Sequence, residues 1–136
     1  MQFVINNWYL FLGLVVILGL LAGPYLRELM YGVQSVSPSR AVQLLNHHTA
    51  VLIDVREVAE FEGGHIGPAR NYPLSTLSSK INELEKFKDK PVVLYCRSGQ
   101  RSAQAAVQLH KHGFAAVYNL SGGIMAWQGE NLPVEK

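Results

Sequence analysis

Two kinds of hydrophobic pattern divide the chain into an apolar N-terminal segment and a mixed C-terminal part. No charged residue occurs in residues 1–26, and residues 8–26 form a stretch of 19 uncharged, mostly apolar residues. A helix of that length measures about 28 Å, close to the ~30 Å hydrocarbon core of a bilayer. The pattern therefore predicts one transmembrane helix over residues 8–26, embedded in a lipid bilayer.

A buried core helix and a cleaved signal peptide are the two other interpretations of this segment. The stretch is apolar on every face and too long for the core of a small domain. A signal peptide needs a basic n-region, and no Lys or Arg precedes the apolar run. Aromatic residues, which favour membrane interfaces, flank both ends of the stretch at Trp8, Tyr9, Tyr25 and Tyr31. We interpret residues 1–31 as an uncleaved single-pass anchor with its flank.

Basic residues near the anchor predict its orientation. None precedes the apolar segment, whereas Arg27 and Arg40 follow it. Because cytoplasmic flanks are enriched in Lys and Arg, we expect the C-terminal part in the cytoplasm. Gly13, Gly19 and Gly23 permit close contact between helices, so a membrane-protein partner is left open.

Short strand-like runs recur along residues 32–136, which we assign to one domain. One run ends near Val36. Three more are apolar or β-branched runs typical of buried strands, namely AVLIDV (50–55), PVVLYC (91–96) and AAVYNL (115–120).

Helical patterns fall between these runs. Ser37 is the predicted N-cap of a first helix, with Pro38 at its first position. The other predicted helices are marked by Leu77, Ile81, Leu84 and Phe87, by residues 102–113 with Gly113 as the C-terminal cap, and by GGIMAW (122–127). Because strands and helices alternate, the expected fold is α/β, with a small parallel sheet and helices on both faces.

Composition and charge exclude several classes of protein. The net charge of +2 is too near neutrality to indicate nucleic-acid binding. A lone cysteine, Cys96, forms no internal disulfide and excludes a metal site built on several cysteines. No carboxylate joins the histidines in a recognised ligand spacing, so we expect neither metal nor cofactor. The histidines predicted to be solvated, at helix ends, are His47, His48, His110 and His112.

Three motifs fall at the predicted carboxyl ends of strands, where ligands bind in this class of fold. They are residues 54–57, residues 96–101 and the pair Gly122-Gly123. Their shared position predicts one site at this edge of the sheet.

The cysteine loop, which we define as residues 96–101, has the composition of an anion-binding turn. Its successive N–H groups converge, and the positive N-terminal end of the next helix follows. Arg97 and Arg101 add two positive charges, so we expect the pKa of Cys96 to be depressed. Arg101 also suits a planar grip on sulfonate or phosphate oxygens. The alternative is a buried structural cysteine, for which two nearby arginines are poor neighbours.

The motifs LIDVRE, EFEGGHIGPARN, VVLYCRSGQRSA and VYNLSGGIMAW, in this order, resemble the rhodanese family over roughly residues 36–132. The whole chain is similar to the membrane-anchored, single-domain bacterial rhodaneses (the YibN-like group), which implies the cell inner membrane. The order Gly67-Pro68 departs from the usual family pattern, but it lies in a turn and has little bearing on the resemblance.

The resemblance implies a sulfurtransferase. In rhodaneses, the cysteine at the position of Cys96 takes a sulfane sulfur from a donor such as thiosulfate or a protein persulfide. It carries that sulfur as a persulfide to a thiol or another nucleophile. The residues that the resemblance assigns to the active loop are Cys96, Arg97, Ser98, Gly99, Gln100, Arg101 and Ser102. Related phosphatases have one more residue in this loop, so the shorter spacing favours sulfur over phosphate.

Residues outside the loop have supporting roles in this interpretation. Asp54 is expected to order its own loop, and Arg56 to pair with Glu60 or Glu62, as a structural ion pair rather than a catalytic one. His65 is expected to tie its turn by a side-chain hydrogen bond. The expected core and turn residues of the closing motif are Gly122, Gly123 and Trp127.

Two other functions compete with sulfur transfer. One is a binding module that recruits a membrane partner with little catalysis, against which the intact cysteine loop argues. The other is a phosphatase or arsenate reductase, against which the short loop argues.

Overall fold

The computed structural model describes residues 1–26 and 32–136 in full and residues 27–31 as helical backbone only. The helices are α1 (Gln2–Asn6), α2 (Trp8–Tyr31), α3 (Pro38–His47), α4 (Val58–Glu62), α5 (Leu74–Lys80), a 3-10 helix (Ile81–Phe87), α6 (Gln100–Lys111) and α7 (Gly123–Gly129). The strands are β1 (Val33–Val36), β2 (Val51–Asp54), β3 (Arg70–Asn71), β4 (Pro91–Tyr95) and β5 (Ala116–Leu120).

The five strands form one sheet in the order β1-β5-β4-β2-β3, and every neighbouring pair is parallel. Asp54 lies opposite Tyr95, and Leu94 lies opposite Asn119, so the central strands end nearly level. This confirms the predicted parallel α/β sheet and brings the residues that follow β2, β4 and β5 to one edge.

Helices cover both faces of the sheet, as predicted. The side chains of β4 alternate between two core clusters because successive residues of a strand point to opposite faces. Leu94 packs in the cluster that contains residues of α5, the 3-10 helix and α6. Tyr95 packs in the cluster that contains residues of α3 and α7. The cysteine loop therefore leaves a strand that is buried on both sides, which gives it a rigid base.

One predicted helix is divided in two. The continuous helix expected over Leu77 to Phe87 is an α-helix up to Lys80 and a 3-10 helix from Ile81. The buried positions explain the change, since Ile81, Leu84 and Phe87 recur every three residues. Three residues is the repeat of a 3-10 helix, so this winding keeps all three side chains on the core. The short elements α4 and β3 carry too little pattern to be predicted.

Helix α2 contains the predicted membrane span. Residues 8–26 have a mean hydropathy of 2.1, and none of the span is buried against the rest of the described chain. This argues against the buried core helix, while a signal sequence would meet the same criteria of length and composition. Pro24 lies inside the helix. The side chains of Arg27 and Tyr31, on which the orientation and interface arguments draw, lie outside the described residues.

One of the four histidines predicted to be solvated is partly buried. His47, His48 and His112 are exposed, but His110 is only partly exposed and its Nδ1 is buried. Its ring lies against Gly32, whose φ of +68° and crowded surroundings leave no room for a side chain. His110 is less exposed than predicted because the turn that leads into β1 passes over the end of α6.

Candidate active site

The three predicted motifs meet at the carboxyl edge of the sheet. Asp54 is the last residue of β2, Cys96 follows β4 directly, and Gly122 is the N-cap of α7 after β5. The parallel register places them together, although they are far apart in sequence.

The cysteine loop turns directly from β4 into α6. Gly99 is the N-cap of α6 and has a φ of +103°, a conformation that other residues adopt only with strain. The helix starts at Gln100, two residues earlier than the sequence pattern indicates, so its N-terminus lies inside the loop. As a result the N–H of Gly99 donates a hydrogen bond to Cys96 Sγ at 3.1 Å.

Helix α7 holds the other side of the loop. The N–H of Ile124 donates to the carbonyl of Cys96 at 2.9 Å, and the N–H of Met125 donates to the carbonyl of Arg97 at 3.2 Å. These carbonyls satisfy helix N–H groups that otherwise lack partners. With its carbonyls turned toward α7, the loop can turn its own N–H groups toward the sulfur. Gly122-Gly123 is thus more than a turn, because it brings α7 against the loop.

Two buried polar residues, Ser102 and Asn119, lie beside the sulfur of Cys96, and the sequence pattern indicates only the first of them. Ser102 was assigned to the loop, and its hydroxyl lies 3.5 Å from Cys96 Sγ and 2.5 Å from Asn119 Oδ1. Asn119, which was not singled out, is 7% exposed and donates from Nδ2 to the carbonyl of Gly99 at 3.1 Å. Its amide therefore accepts the hydroxyl proton of Ser102 and holds the carbonyl of Gly99, the residue whose N–H donates to the sulfur. A polar residue near the end of the buried strand next to β4 is the signal that would have found it.

The electrostatic surroundings of Cys96 favour the thiolate. Burial of the sulfur by itself raises the pKa of the thiol. Hydrogen bonds from the Ser102 hydroxyl and from the backbone N–H groups of Ser102, Gly99 and Ser98 outweigh burial, so the pKa is lowered from its ordinary value. The direction agrees with the expectation from the sequence, and main-chain and hydroxyl donors lie behind it.

Arg101 has a carboxylate partner that the sequence analysis did not assign to it. Its two terminal nitrogens bind Glu60 at 2.7 and 3.0 Å. The hydrogen bond with Arg101 lowers the pKa of Glu60 to about 2 against the opposing effect of burial. The pKa of Arg101 is raised, mainly by Glu60, with a further contribution from Cys96. Arg101 is therefore paired with a carboxylate, and the charge of the thiol adds to the stabilisation of the guanidinium.

The predicted partner of Arg56 is wrong. It pairs with Asp54 rather than with Glu60 or Glu62, through Nη2 to Oδ2 at 2.7 Å. Arg56 lies two residues after Asp54 in the turn that follows β2, where its backbone N–H donates to Oδ1 at 2.8 Å. The guanidinium then donates to the carbonyl of Gly64 at 2.6 Å. The pair is buried, which matches the structural role expected for it.

His65 ties its turn as predicted. Its Nδ1 lies 3.1 Å from the carbonyl of Phe61, and its ring stacks on that of Phe61 at 3.9 Å. Within the part of the chain that the structure describes, no group of three or more His, Cys, Asp or Glu side chains is arranged to hold a metal ion.

A groove of about 610 Å³ opens beside the loop. The charged and polar side chains along it are Arg56, Glu60, Arg97, Gln128, Glu135 and Lys136. The side chain of Arg97 is exposed and has no hydrogen bond or ion pair with any described residue, so its charge faces this groove. The sulfur lies deeper, since Cys96 is only 1% exposed.

The fold and the loop define an α/β protein that presents one cysteine at the carboxyl edge of a parallel sheet. The family model of the rhodanese-like domain matches residues 37–130, and the chain belongs to that family. The predicted resemblance is thereby confirmed.

Similar proteins agree with this assignment. The chain is 35% identical to YibN of Escherichia coli (strain K12) over 135 residues, 98% of this chain and 94% of that protein. It is 39% identical over 98 residues to a protein named sulfurtransferase from Allochromatium vinosum, covering 72% of this chain and 90% of that one. The crystal structure of a rhodanese-related protein from Thermoplasma volcanium matches with a TM-score of 0.67 and 32% identity, covering 75% and 97% of the two chains. Family and relatives support sulfurtransferase chemistry at the level of the family.

Replacing Asn119 with alanine is expected to raise the pKa of Cys96. Without the amide, the Gly99 carbonyl loses its donor, and the turn that points the Gly99 N–H at the sulfur is less well fixed. The Cys96 thiolate then loses stabilisation equal to about one hydrogen bond. We therefore expect alkylation by iodoacetamide at neutral pH to slow roughly three- to tenfold. The measurement is the pH profile of the alkylation rate, with Asn82→Ala on the exposed side of the 3-10 helix as the control. A folded Asn119→Ala protein with an unchanged profile would contradict the assignment.

Proposed function

We propose that the protein is a membrane-anchored sulfurtransferase that carries sulfane sulfur as a persulfide on Cys96. In this proposal residues 1–31 form the anchor and its flank, and residues 32–136 form the catalytic domain. The observation that carries the proposal is the cysteine loop itself, in which the Gly99 N–H lies 3.1 Å from Cys96 Sγ. A family whose members include a protein named sulfurtransferase supports it.

The proposed reaction has two steps. The Cys96 thiolate attacks the outer sulfur of thiosulfate, the S–S bond breaks, and sulfite leaves with the electron pair. The protein then holds a persulfide anion, whose outer sulfur is attacked by an acceptor thiolate while the Cys96 thiolate leaves. Splitting the transfer in this way is the usual benefit of a covalent intermediate. In this proposal the backbone N–H groups of the loop stabilise the anion, as oxyanion-hole donors do, which the hydrogen bonds of Ser98, Gly99 and Ser102 to the sulfur support.

The proposal is tested by intact mass after treatment of the purified full-length protein with thiosulfate. We expect a gain of one sulfur atom that cyanide or dithiothreitol removes and that Cys96→Ser lacks. Because Cys96 is nearly buried, the same samples are treated with a thiol reagent before and after unfolding. A cysteine that reacts only when the chain is unfolded, with no adduct from any sulfane donor, would show a structural thiol and favour the binding module. Hydrolysis of phenyl phosphate that depends on Cys96 would favour the phosphatase.

The anchor is part of the proposal and has its own test. We expect the protein to stay with bacterial membranes through an alkaline carbonate wash and to keep residues 1–31 by mass. Release by carbonate would remove the anchor from the proposal, and loss of the N-terminus would favour a signal peptide. The orientation proposed, with the domain on the cytoplasmic side, predicts that intact spheroplasts protect residues 32–136 from added protease.

A further inference from the structure

Glu60 occupies the part of Arg101 that an anionic donor would use. Both terminal nitrogens of the guanidinium bind the two carboxylate oxygens, at 2.7 and 3.0 Å. A parallel pair of this kind is the geometry in which arginine also binds sulfonates and phosphates. A sulfur donor that carries a sulfonate or phosphate group would therefore find the two terminal nitrogens of Arg101 already bound to Glu60.

The carboxylate of Glu60 is also held from its own helix. Glu60 stands three residues after Glu57, the N-cap of α4, and the Glu57 N–H donates to Glu60 Oε1 at 3.2 Å. This reciprocal arrangement is a capping box, which fixes both the helix start and the side chain. Two independent contacts therefore hold the negative charge in place beside the loop.

Glu60 lies where an approaching sulfur donor would encounter its negative charge. Its side chain is about a third exposed (35%) and lies on the wall of the groove beside the loop. Arg97 and Lys136 supply positive charge on the wall of the same groove, and the side chain of Arg97 has no ion pair with a described residue. A donor with two negative charges is repelled by Glu60 twice as strongly as one with a single charge, since the Coulomb energy scales with charge.

We propose that Glu60 determines the charge selectivity of this site and disfavours small dianions relative to donors that carry at most one negative charge at the reacting sulfur. A persulfide on a protein cysteine is the donor class that this favours over inorganic thiosulfate. The inference rests on the proposed function for its biological meaning, but the effect of Glu60 on any anion that reaches Cys96 is independent of it.

The test uses three reagents that modify the same sulfur but differ in charge. Two are methanethiosulfonates, one with a sulfonate tail and one with a trimethylammonium tail, and the third is thiosulfate. In the first two, the Cys96 thiolate attacks the reagent sulfur and methanesulfinate leaves, so no sulfurtransferase activity is required. The rate with the anionic tail divided by the rate with the cationic tail cancels changes in the thiolate fraction and reports only charge selectivity.

Glu60→Gln in the full-length protein is the informative variant because glutamine keeps the capping box while removing the charge. We expect the ratio to rise roughly tenfold, and the thiosulfate rate to rise by at least as much. Glu62→Gln, an equal charge change at an exposed residue of the same helix, is expected to change the ratio less than twofold. Glu60→Ala serves as a second neutral variant if glutamine disturbs folding, and circular dichroism verifies the fold of each.

The outcomes separate this inference from the proposed function. An unchanged ratio in both folded neutral variants, or an equal change in Glu62→Gln, overturns the role of Glu60 whatever happens with thiosulfate. A tenfold rise in the ratio with no persulfide from any donor in any variant keeps the role of Glu60 and removes the sulfurtransferase.

Discussion

Asp54→Asn is expected to destabilise the domain by about 3–5 kcal/mol, because it leaves a buried guanidinium without its counter-charge. Asp54 is 0% exposed and Arg56 is 7% exposed. The two carboxylate oxygens accept from the backbone N–H, Nε and Nη2 of Arg56 at 2.7–3.1 Å. Asparagine has a single acceptor oxygen, and its NH2 group would face the donors of the guanidinium. Arg56 would retain the carbonyl of Gly64 as a partner, but no negative charge.

The measurement for Asp54→Asn is the urea midpoint of the full-length protein in detergent, followed by tryptophan fluorescence. Trp127 is 5% exposed in the core and reports the domain. Asp89→Asn makes the same chemical change at an exposed position and is expected to shift the free energy of unfolding by less than about 0.5 kcal/mol. If Asp54→Asn is as small in effect as Asp89→Asn, the buried pair does not stabilise the turn after β2.

The sequence predicts the sheet because its strands are buried on both faces. PVVLYC is a continuous apolar run, and in the structure its side chains alternate between two core clusters. A run of this kind needs cover on each side, which an alternating α/β chain supplies. The parallel register then follows, and with it the meeting of Asp54, Cys96 and Gly122 at one edge.

The partners within the site are harder to predict than its location. Arg56 and Arg101 each have carboxylates nearby in sequence or space, and composition cannot tell which pairs form. In the structure, the distance of each side chain from the end of its strand determines which ion pairs form. Arg56 is held against Asp54 by the turn after β2, and Glu60 is then left for Arg101, which lies 41 positions further along the chain. The role of Asn119 is hard to predict for the same reason, because it depends on a neighbour across the sheet.

The same contacts explain why a single cysteine suffices for the proposed chemistry. The sulfur lies at the end of a strand that is buried on both faces, in a loop whose carbonyls accept hydrogen bonds from α7. Hydrogen-bond donors that already point at the sulfur need no reorganisation when negative charge develops on it, which is what makes preorganised sites effective. The hydrogen bonds from α7 therefore support the thiolate indirectly, through the conformation of the loop.

Gly123→Ala is expected to destabilise the domain by about 2–5 kcal/mol and to disrupt the cysteine loop. Gly123 has a φ of +59°, and a Cβ there would overlap the carbonyl of Cys96 and lie 2.5 Å from that of Arg97. The left-handed conformation costs an alanine about 1–2 kcal/mol, and forcing the two backbones apart costs about 1–3 kcal/mol more. Separation lengthens the bonds from Ile124 and Met125, so the loop loses the contacts that turn its N–H groups inward.

Two measurements check Gly123→Ala, and Gly129→Ala is the matched control. Gly129 is the last residue of the same helix and has no atom within 4 Å of an added Cβ, so alanine there is expected to be neutral or slightly stabilising. In Gly123→Ala we expect a lower urea midpoint and, under conditions where the protein is still folded, at least a tenfold loss in the rate of iodoacetamide alkylation at neutral pH. A normal alkylation profile in a destabilised but folded Gly123→Ala protein would show that α7 supports the fold without setting the reactivity of Cys96.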